Sequence, residues 1–394
     1  MTVASQSPLL LPLADGSLER YVPKAPREPP EPDPRPPRSR GCFAAAHVVA
    51  DPLAAGDPVA EPRLDWEATL AYRRHLWSHG LGVAEAMDTA QRGEGLGWPL
   101  ARELIERTAA EAREVGGRLA CGAGTDQLDP GSSASLAQIV DAYREQIELI
   151  ESLGATAVVM ASRQLAAVAA GAADYRAVYE AVLERAERPV ILHWLGEAFD
   201  PALAGYWGSP DVAGAVGFVA VLIAEHAEHI DGIKVSLLDP TIEVELRRSL
   251  PTGARLYTGD DFNYPELIRG GEHGASDALL GIFDPIAPVA AAAVRALDEG
   301  ELDRYDELLA PTVPLAREMF AAPTPHYKTG VVFLAYLNGH QDHFRMVSGL
   351  EGARSIVHLA SLFRLADQAG VLRDPERAAR RFRPVLALAG VEQG

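Results

Sequence analysis

The chain has 394 residues, 48% of them hydrophobic and 23% charged, with a formal net charge of −19. That length buries a core large enough for one barrel-sized domain with additions, or for two domains. A charge of this sign and size argues against nucleic acid or an anionic membrane as partner, while a small anionic substrate needs only a local cluster of donors.

Leu9-Leu10-Leu11 follows no basic segment and is far too short for a signal core or a membrane span. Cys42 and Cys121 cannot build a disulfide framework. A soluble protein of the reducing cytoplasm is therefore expected. Residues 22–40 carry eight prolines among charges, the composition of an extended arm with no core of its own. The expected organisation is a Pro-rich arm over residues 1–41, a main domain over 42–300 and a helical extension over 301–394.

After residue 42, short apolar runs alternate with amphipathic stretches. The expected strands are Phe43–Val49, Gly82–Met87, Arg118–Gly122, Ala155–Ala161, Pro189–Trp194, Gly232–Ser236, Arg255–Thr258 and Ala278–Phe283. Helical patterns over Trp66–His79, Leu100–Val115, Leu136–Leu153, Tyr175–Glu187, Val212–His226 and Pro265–Gly270 separate them. Eight apolar strands with intervening helices and no paired hairpins indicate a parallel sheet, and the count of eight favours a closed (β/α)8 TIM barrel. The first βα turn has no G-x-G-x-x-G, which weakens a dinucleotide-binding alternative. Beyond residue 285 only helices are expected: Pro288–Glu299, Leu302–Leu309, Val313–Phe320, His326–Asn338, Gly352–Ala369 and Pro375–Leu388.

Barrel enzymes build their sites at the C-terminal ends of the strands. The polar residues there include His47, Glu85, Asp88, Thr125, Asp126, Ser162, Arg163, His193, Lys234, Ser236, Asp260, Asp261 and Asp284. Lys234 is the most informative. The chain has three lysines, Lys24, Lys234 and Lys328, against 33 arginines. Arginine carries charge equally well but cannot deprotonate into a nucleophile. A lysine kept on an apolar strand suggests a Schiff base with a carbonyl substrate, and the competing reading is a lysine paired with an acid such as Asp260.

Asp231-Gly232-Ile233-Lys234-Val235-Ser236, then Tyr257-Thr258-Gly259-Asp260-Asp261 and Gly271–Phe283, resemble the strand 6 to strand 8 core of the dihydrodipicolinate synthase / N-acetylneuraminate lyase superfamily. The resemblance extends with less specificity over residues 43–370. The chain is closer to a divergent branch marked by the Pro-rich arm and the segment Asn338–Phe344, from which no activity carries over. The resemblance implies a (β/α)8 barrel with a C-terminal helical extension, an imine at Lys234, a dimer or tetramer, and no cofactor or metal. It maps the turn Gly259-Asp260-Asp261 and the loop with Gln91 and Glu94 onto family positions. Together with the strand-end residues Glu85, Asp88, Ser236 and Tyr257, this makes Asp260 a further catalytic candidate beside the amine and Glu85, Asp88, Gln91, Glu94, Ser236, Tyr257 and Asp261 the candidates around the substrate. Two departures stand out. His193 replaces the tyrosine that relays protons at the imine, and an imidazole suits that work. Gln91-Arg92-Gly93-Glu94 replaces the loop whose paired hydroxyls hold a 2-oxo acid carboxylate, so pyruvate is in doubt and Arg92 or Arg163 is left as the anion contact.

The expected function is a Schiff-base lyase, an aldolase or a dehydratase, acting on a small oxo compound, with sugar- or sugar-acid-derived compounds as candidates. Two alternatives stay open. One is a metal-dependent barrel isomerase or hydrolase using Glu85, Asp88, His193, Asp260 or His47. The other is a barrel that binds a ligand without chemistry. His340, Asp342 and His343 have a spacing suggestive of metal ligands but follow a helix of the extension, where a structural or gating role is favoured.

Overall fold

The computed structural model describes residues 8–129, 133–209 and 211–393; the first seven residues of the arm lie outside them. The chain opens with an antiparallel hairpin, β1 (Leu9–Pro12) and β2 (Leu18–Tyr21). The barrel follows. It consists of β3 (Cys42–Ala45), α1 (Trp66–Ser78), β4 (Gly82–Glu85), α2 (Trp98–Val115), β5 (Leu119–Ala123), α3 (Leu136–Ser152), β6 (Thr156–Val159), α4 (Arg163–Val168), α5 (Ala172–Leu183), β7 (Val190–Leu195), α6 (Val212–Glu225), β8 (Ile230–Ser236), α7 (Pro240–Ser249), β9 (Arg255–Thr258), α8 (Tyr264–Arg269), β10 (Asp277–Leu280) and α9 (Ala287–Glu299). The extension adds α10 (Leu302–Leu309), α11 (Val313–Met319), α12 (Tyr327–Asn338), α13 (Ile356–Ala369) and α14 (Pro375–Leu388).

Strands β3 to β10 are all parallel and close on themselves, β10 pairing with both β9 and β3. The protein is a (β/α)8 barrel with a C-terminal helical extension and a Pro-rich N-terminal arm. Each expected strand is present at its expected place, because a strand covered by helices on one side and by the barrel interior on the other reads as an apolar run. All six residues of β7 are buried. Phe43, Ala84, Ala120, Val158, Ile191, Tyr257 and Leu279 fill the interior as one cluster.

The short helix α4, the helix α7 and the hairpin escaped the pattern reading. The helix α7 was signalled by Asp239, whose carboxylate caps the amides of Thr241 and Ile242, and by Pro240 at the first helical position. The hairpin buries Leu9 and Leu11 against α13 and α14, and Tyr21 Oη donates to Asp367 Oδ2 at 2.6 Å. The arm beyond it has no core of its own, as composition requires, but it is tied to its own barrel. Asp33 pairs with Arg295 at 3.2 Å, and Asp298 accepts from the amides of Arg38 and Ser39. These contacts lie at the N-terminal end of the barrel, away from the strand ends that build a site. Among the described residues no single helix is long and apolar enough to cross a membrane, though the bent pair Pro201–Gly208 and Val212–Glu225 passes on length and composition.

Candidate active site

In the register of the barrel, His193 of β7 lies beside Lys234 of β8, and Lys234 beside Tyr257 of β9. Alternation then aims Lys234 and Ser236 into the interior at the C-terminal end of β8. Lys234 is 7% exposed, and its Nζ makes no hydrogen bond to any described residue. Gly259 makes room for it: a Cβ there would run into Ser236 Oγ and stand 2.9 Å from Lys234 Cε. Burial pushes the Lys234 amine below its usual range, against the pull of the Asp88 and Asp261 carboxylates. Asp261 is itself displaced, raised by burial to about 7 although its Oδ1 accepts from the Ile282 amide at 2.8 Å. Burial thus favours the neutral form of both the amine and the carboxyl.

His193 is 1% exposed, with Nε2 3.2 Å from Ser236 Oγ and Nδ1 without a partner among the described residues. Burial, and then the Lys234 charge, push its pKa well below the usual value, so the ring is a neutral imidazole. A cavity of about 180 Å³ opens from here over the ends of β4 to β7, bounded by Asp88, His193, Thr125, Arg163, Asp200 and the sulfur-bearing side chain of Met160. Lys234 is not part of this lining; it lies beside His193, which is.

Lys234, His193, Ser236, Asp88 and Asp261 therefore come together as expected. The other five expected contacts go elsewhere. Asp260 is not the carboxylate facing the amine: its oxygens accept from the amides of Phe262 and Asn263 and from Asn263 Nδ2, holding the turn after β9. Glu85 points outward from β4, where Arg73 meets it with two bonds of 2.9 Å and Thr108 with one of 2.7 Å. Gln91 donates to the carbonyls of Glu94 and Val347, and Glu94 is taken by Lys328 at 2.6 Å. Tyr257 does lie inside the barrel, but its hydroxyl runs to the opposite end and donates to Asp231 Oδ2 at 2.6 Å.

Pattern reading passed over the contribution of the extension. Tyr327, at the start of α12, stacks on Phe320 with ring centroids 4.3 Å apart, and its hydroxyl meets Thr89 Oγ1 at 2.8 Å. Burial first, then Asp88 and Asp261, push this phenol well above its usual range, which places it in the field of the same two carboxylates as Lys234. Phe199 packs edge-on against both rings. The signal available was a tyrosine and a lysine side by side at the start of an otherwise apolar helix.

The sequence cluster near residue 340 disperses. His340 stacks against His75 at 4.5 Å, Asp342 pairs with Arg381, and His343 Nδ1 accepts from the Arg345 amide. His47, Glu85 and Asp260, offered as ligands at the strand ends, are each bonded to other protein groups, His47 to Asp284 at 2.8 Å. Among the described residues only Glu180, Glu225 and His226 bring three metal-ligating atoms together, and Arg176 already bonds both glutamates.

The family described as "Protein of unknown function (DUF993)" matches residues 9–391. A search of curated proteins found no match to the sequence. Among solved structures, dihydrodipicolinate synthase from Thermotoga maritima superposes with a TM-score of 0.64 at 16% identity, covering 84% of this chain and 99% of its own. The 4-hydroxy-tetrahydrodipicolinate synthase of Methylacidiphilum fumariolicum gives 0.64 at 16% identity, over 89% and 99%. Dihydrodipicolinate synthase from Aquifex aeolicus gives 0.59 at 15%, over 90% and 99%. At such identities the likeness is one of fold.

Proposed function

The chain belongs to the DUF993 family, and from its site we propose a Schiff-base lyase, an aldolase or dehydratase, acting on a small oxo compound. The observation that carries this reading is Lys234: a buried amine, hydrogen-bonded to no described residue, in the field of the Asp88 and Asp261 carboxylates at the C-terminal end of a barrel strand. Asp261 takes the ammonium proton, which leaves a neutral amine to attack the substrate carbonyl. Loss of water from the carbinolamine gives a protonated imine. That cation accepts the electron pair released when a neighbouring C–C bond breaks or a proton leaves the adjacent carbon ahead of a hydroxyl. Hydrolysis then returns the amine. His193, neutral and next to Lys234 in the register, moves the proton at the substrate, with Ser236 holding its Nε2.

No cofactor belongs to this reading. The synthase-like fold supports a lyase of this general kind. Sugar- and sugar-acid-derived oxo compounds suit the polar lining of the cavity. A cytoplasmic location goes with Cys42 and Cys121, both free and buried. A dimer or tetramer rests on the family resemblance alone, since the Pro-rich arm is tied to its own barrel; sedimentation velocity tests it, and a lone 42.1 kDa species at micromolar concentration contradicts it.

The decisive experiment is borohydride reduction in the presence of a panel of oxo compounds, read by intact mass and peptide mapping. One adduct per chain on the Lys234 peptide is expected. Lys234→Arg keeps the charge and should abolish the adduct, because guanidinium forms no imine. Lys328, held by Glu94, and the exposed Lys24 serve as internal controls. Full activity in Lys234→Arg would overturn the amine mechanism.

A further inference from the structure

We propose that the substrate carries a carboxylate or phosphate at the end away from its reacting carbonyl, and that Arg163 binds it. This rests on the Schiff-base reading for the position of the carbonyl, and on donor accounting for the rest.

Beside the amine, among the described residues, no cationic side chain other than Lys234 itself is free to hold an anion. Arg92, the nearer guanidinium in sequence, spends all five of its N–H groups inside the protein. Its Nε and Nη2 bind Asp126 at 2.7 and 2.6 Å, Nη2 also binds Gln146 Oε1, and Nη1 binds the carbonyls of Ala86 and Gly122. The Gln91 amide has both hydrogens committed, and Lys328 is matched by Glu94. Meanwhile Asp88 and Asp261 both act on Lys234. A carboxylate directly next to the carbonyl would meet the Asp88 charge there and no free guanidinium, only the neutral His193 and the Ser236 hydroxyl.

Arg163 is different. Its Nε bonds to Asp200, which fixes the plane of the guanidinium, while Nη1 and Nη2 bond to no described residue. Asp200 is fixed in turn by the Ala202 amide at 3.1 Å. The Arg163 side chain is half exposed, borders the cavity, and faces Gly93, where even an added Cβ would stay 3.6 Å from Nη1. Two parallel N–H donors beside an open cavity are the geometry a carboxylate or phosphate takes in bidentate fashion. Arg163 follows β6, two strands around the ring from Lys234, and the Asp88 charge acts on both. Asp88, which follows β4, is close enough to act on both. Its carboxylate bonds no described side chain and borders the cavity, so it is placed to accept from a substrate hydroxyl. The compound this describes has its carbonyl at Lys234, a hydroxyl at Asp88 and an anion at Arg163.

Two measurements separate this from the imine chemistry. Calorimetric titration with glutarate and with inorganic phosphate reads the anion site alone, since neither has a ketone or aldehyde to form an imine, and the stronger of the two tells carboxylate from phosphate. Binding should persist in Lys234→Arg and weaken about 10- to 100-fold in Arg163→Gln, the size of a charge-assisted hydrogen-bonded contact. Arg163→Lys should recover part of it. Borohydride trapping then compares 4-oxopentanoate, with a distal carboxylate, against pyruvate and neutral hydroxyacetone. The wild type should favour 4-oxopentanoate, and Arg163→Gln should collapse that preference. Equal glutarate and phosphate binding in wild type and Arg163→Gln, with both melting alike, overturns the proposal. So does a wild-type preference for pyruvate that the Arg163 substitution does not alter. Anion binding that depends on Arg163 without any trapping would keep the anion site and sink the Schiff-base reading.

Discussion

Replacing Arg73 by methionine tests whether Glu85 belongs to the fold or to the substrate. Both side chains are fully buried, with two bonds of 2.9 Å between them. Removing the guanidinium leaves a carboxylate with only the Thr108 hydroxyl and the Ala86 amide for company. Breaking one side of such a buried pair costs about 3–5 kcal/mol. With roughly 2.1 cal/mol/K of unfolding entropy per residue over 394 residues, that is a fall of about 4–6 °C in melting temperature. Replacing both partners, Arg73→Met with Glu85→Met, should recover most of the loss, because the desolvated charge is gone and the volume is kept. Calorimetry at pH 7 on the wild type, both single variants and the double variant completes the cycle. A loss under about 1 kcal/mol in Arg73→Met would refute the reasoning. So would Glu85→Gln if it impaired imine trapping while melting as the wild type does, since Glu85 would then belong to the site.

Asp261→Asn removes a carboxylate that raises the Lys234 pKa, so the amine should fall further and the rising limb of trapping rate against pH should move to lower pH; a shift to higher pH would refute the pairing. His193→Phe should retain trapping at Lys234 yet slow turnover by about 10²-fold, whereas Tyr257→Phe, whose hydroxyl serves Asp231, should leave turnover near wild type. Gly259→Ala drives a methyl against Ser236 and Lys234, and should cost roughly 1–3 kcal/mol of stability and most of the trapping. Finally, His75 and His340 are held at a pKa of about 3, and His79 at about 4, by burial first and then by one another, Arg373, Arg377 and Arg295. The unfolded chain binds their protons from about pH 6.5 downward, so stability should fall as pH drops below that value by up to about 1.4 kcal/mol per pH unit for each histidine. Urea midpoints at pH 7 and pH 5 measure it. Asp261 and Glu243, raised to about 7, work in the opposite direction in every variant. The test is therefore that His75→Gln loses less stability over this range than the wild type, and an unchanged slope would contradict it.

The barrel and its amine were legible in the residues themselves. A parallel strand packed on both faces has to be apolar along its length, so eight such runs announce eight strands, and a lysine in one of them stands out against 33 arginines. Alternation along β4 turns Ala84 inward and Glu85 outward in the folded barrel, a separation not made from the sequence. The partner that makes Glu85 structural, Arg73, sits on a different element, so the acid was grouped with the site. Asp260 and Asp261 are adjacent in a turn with no regular period, and only the packed structure turns one toward the following amides and the other toward Lys234. Tyr327 reaches the site from 93 residues beyond Lys234, on a helix whose sequence reads simply as buried. Burial depends on a residue and its near neighbours, which the order of residues records. Which charge meets which depends on how helices and turns pack across the closed barrel, and that is settled only when the whole chain is folded.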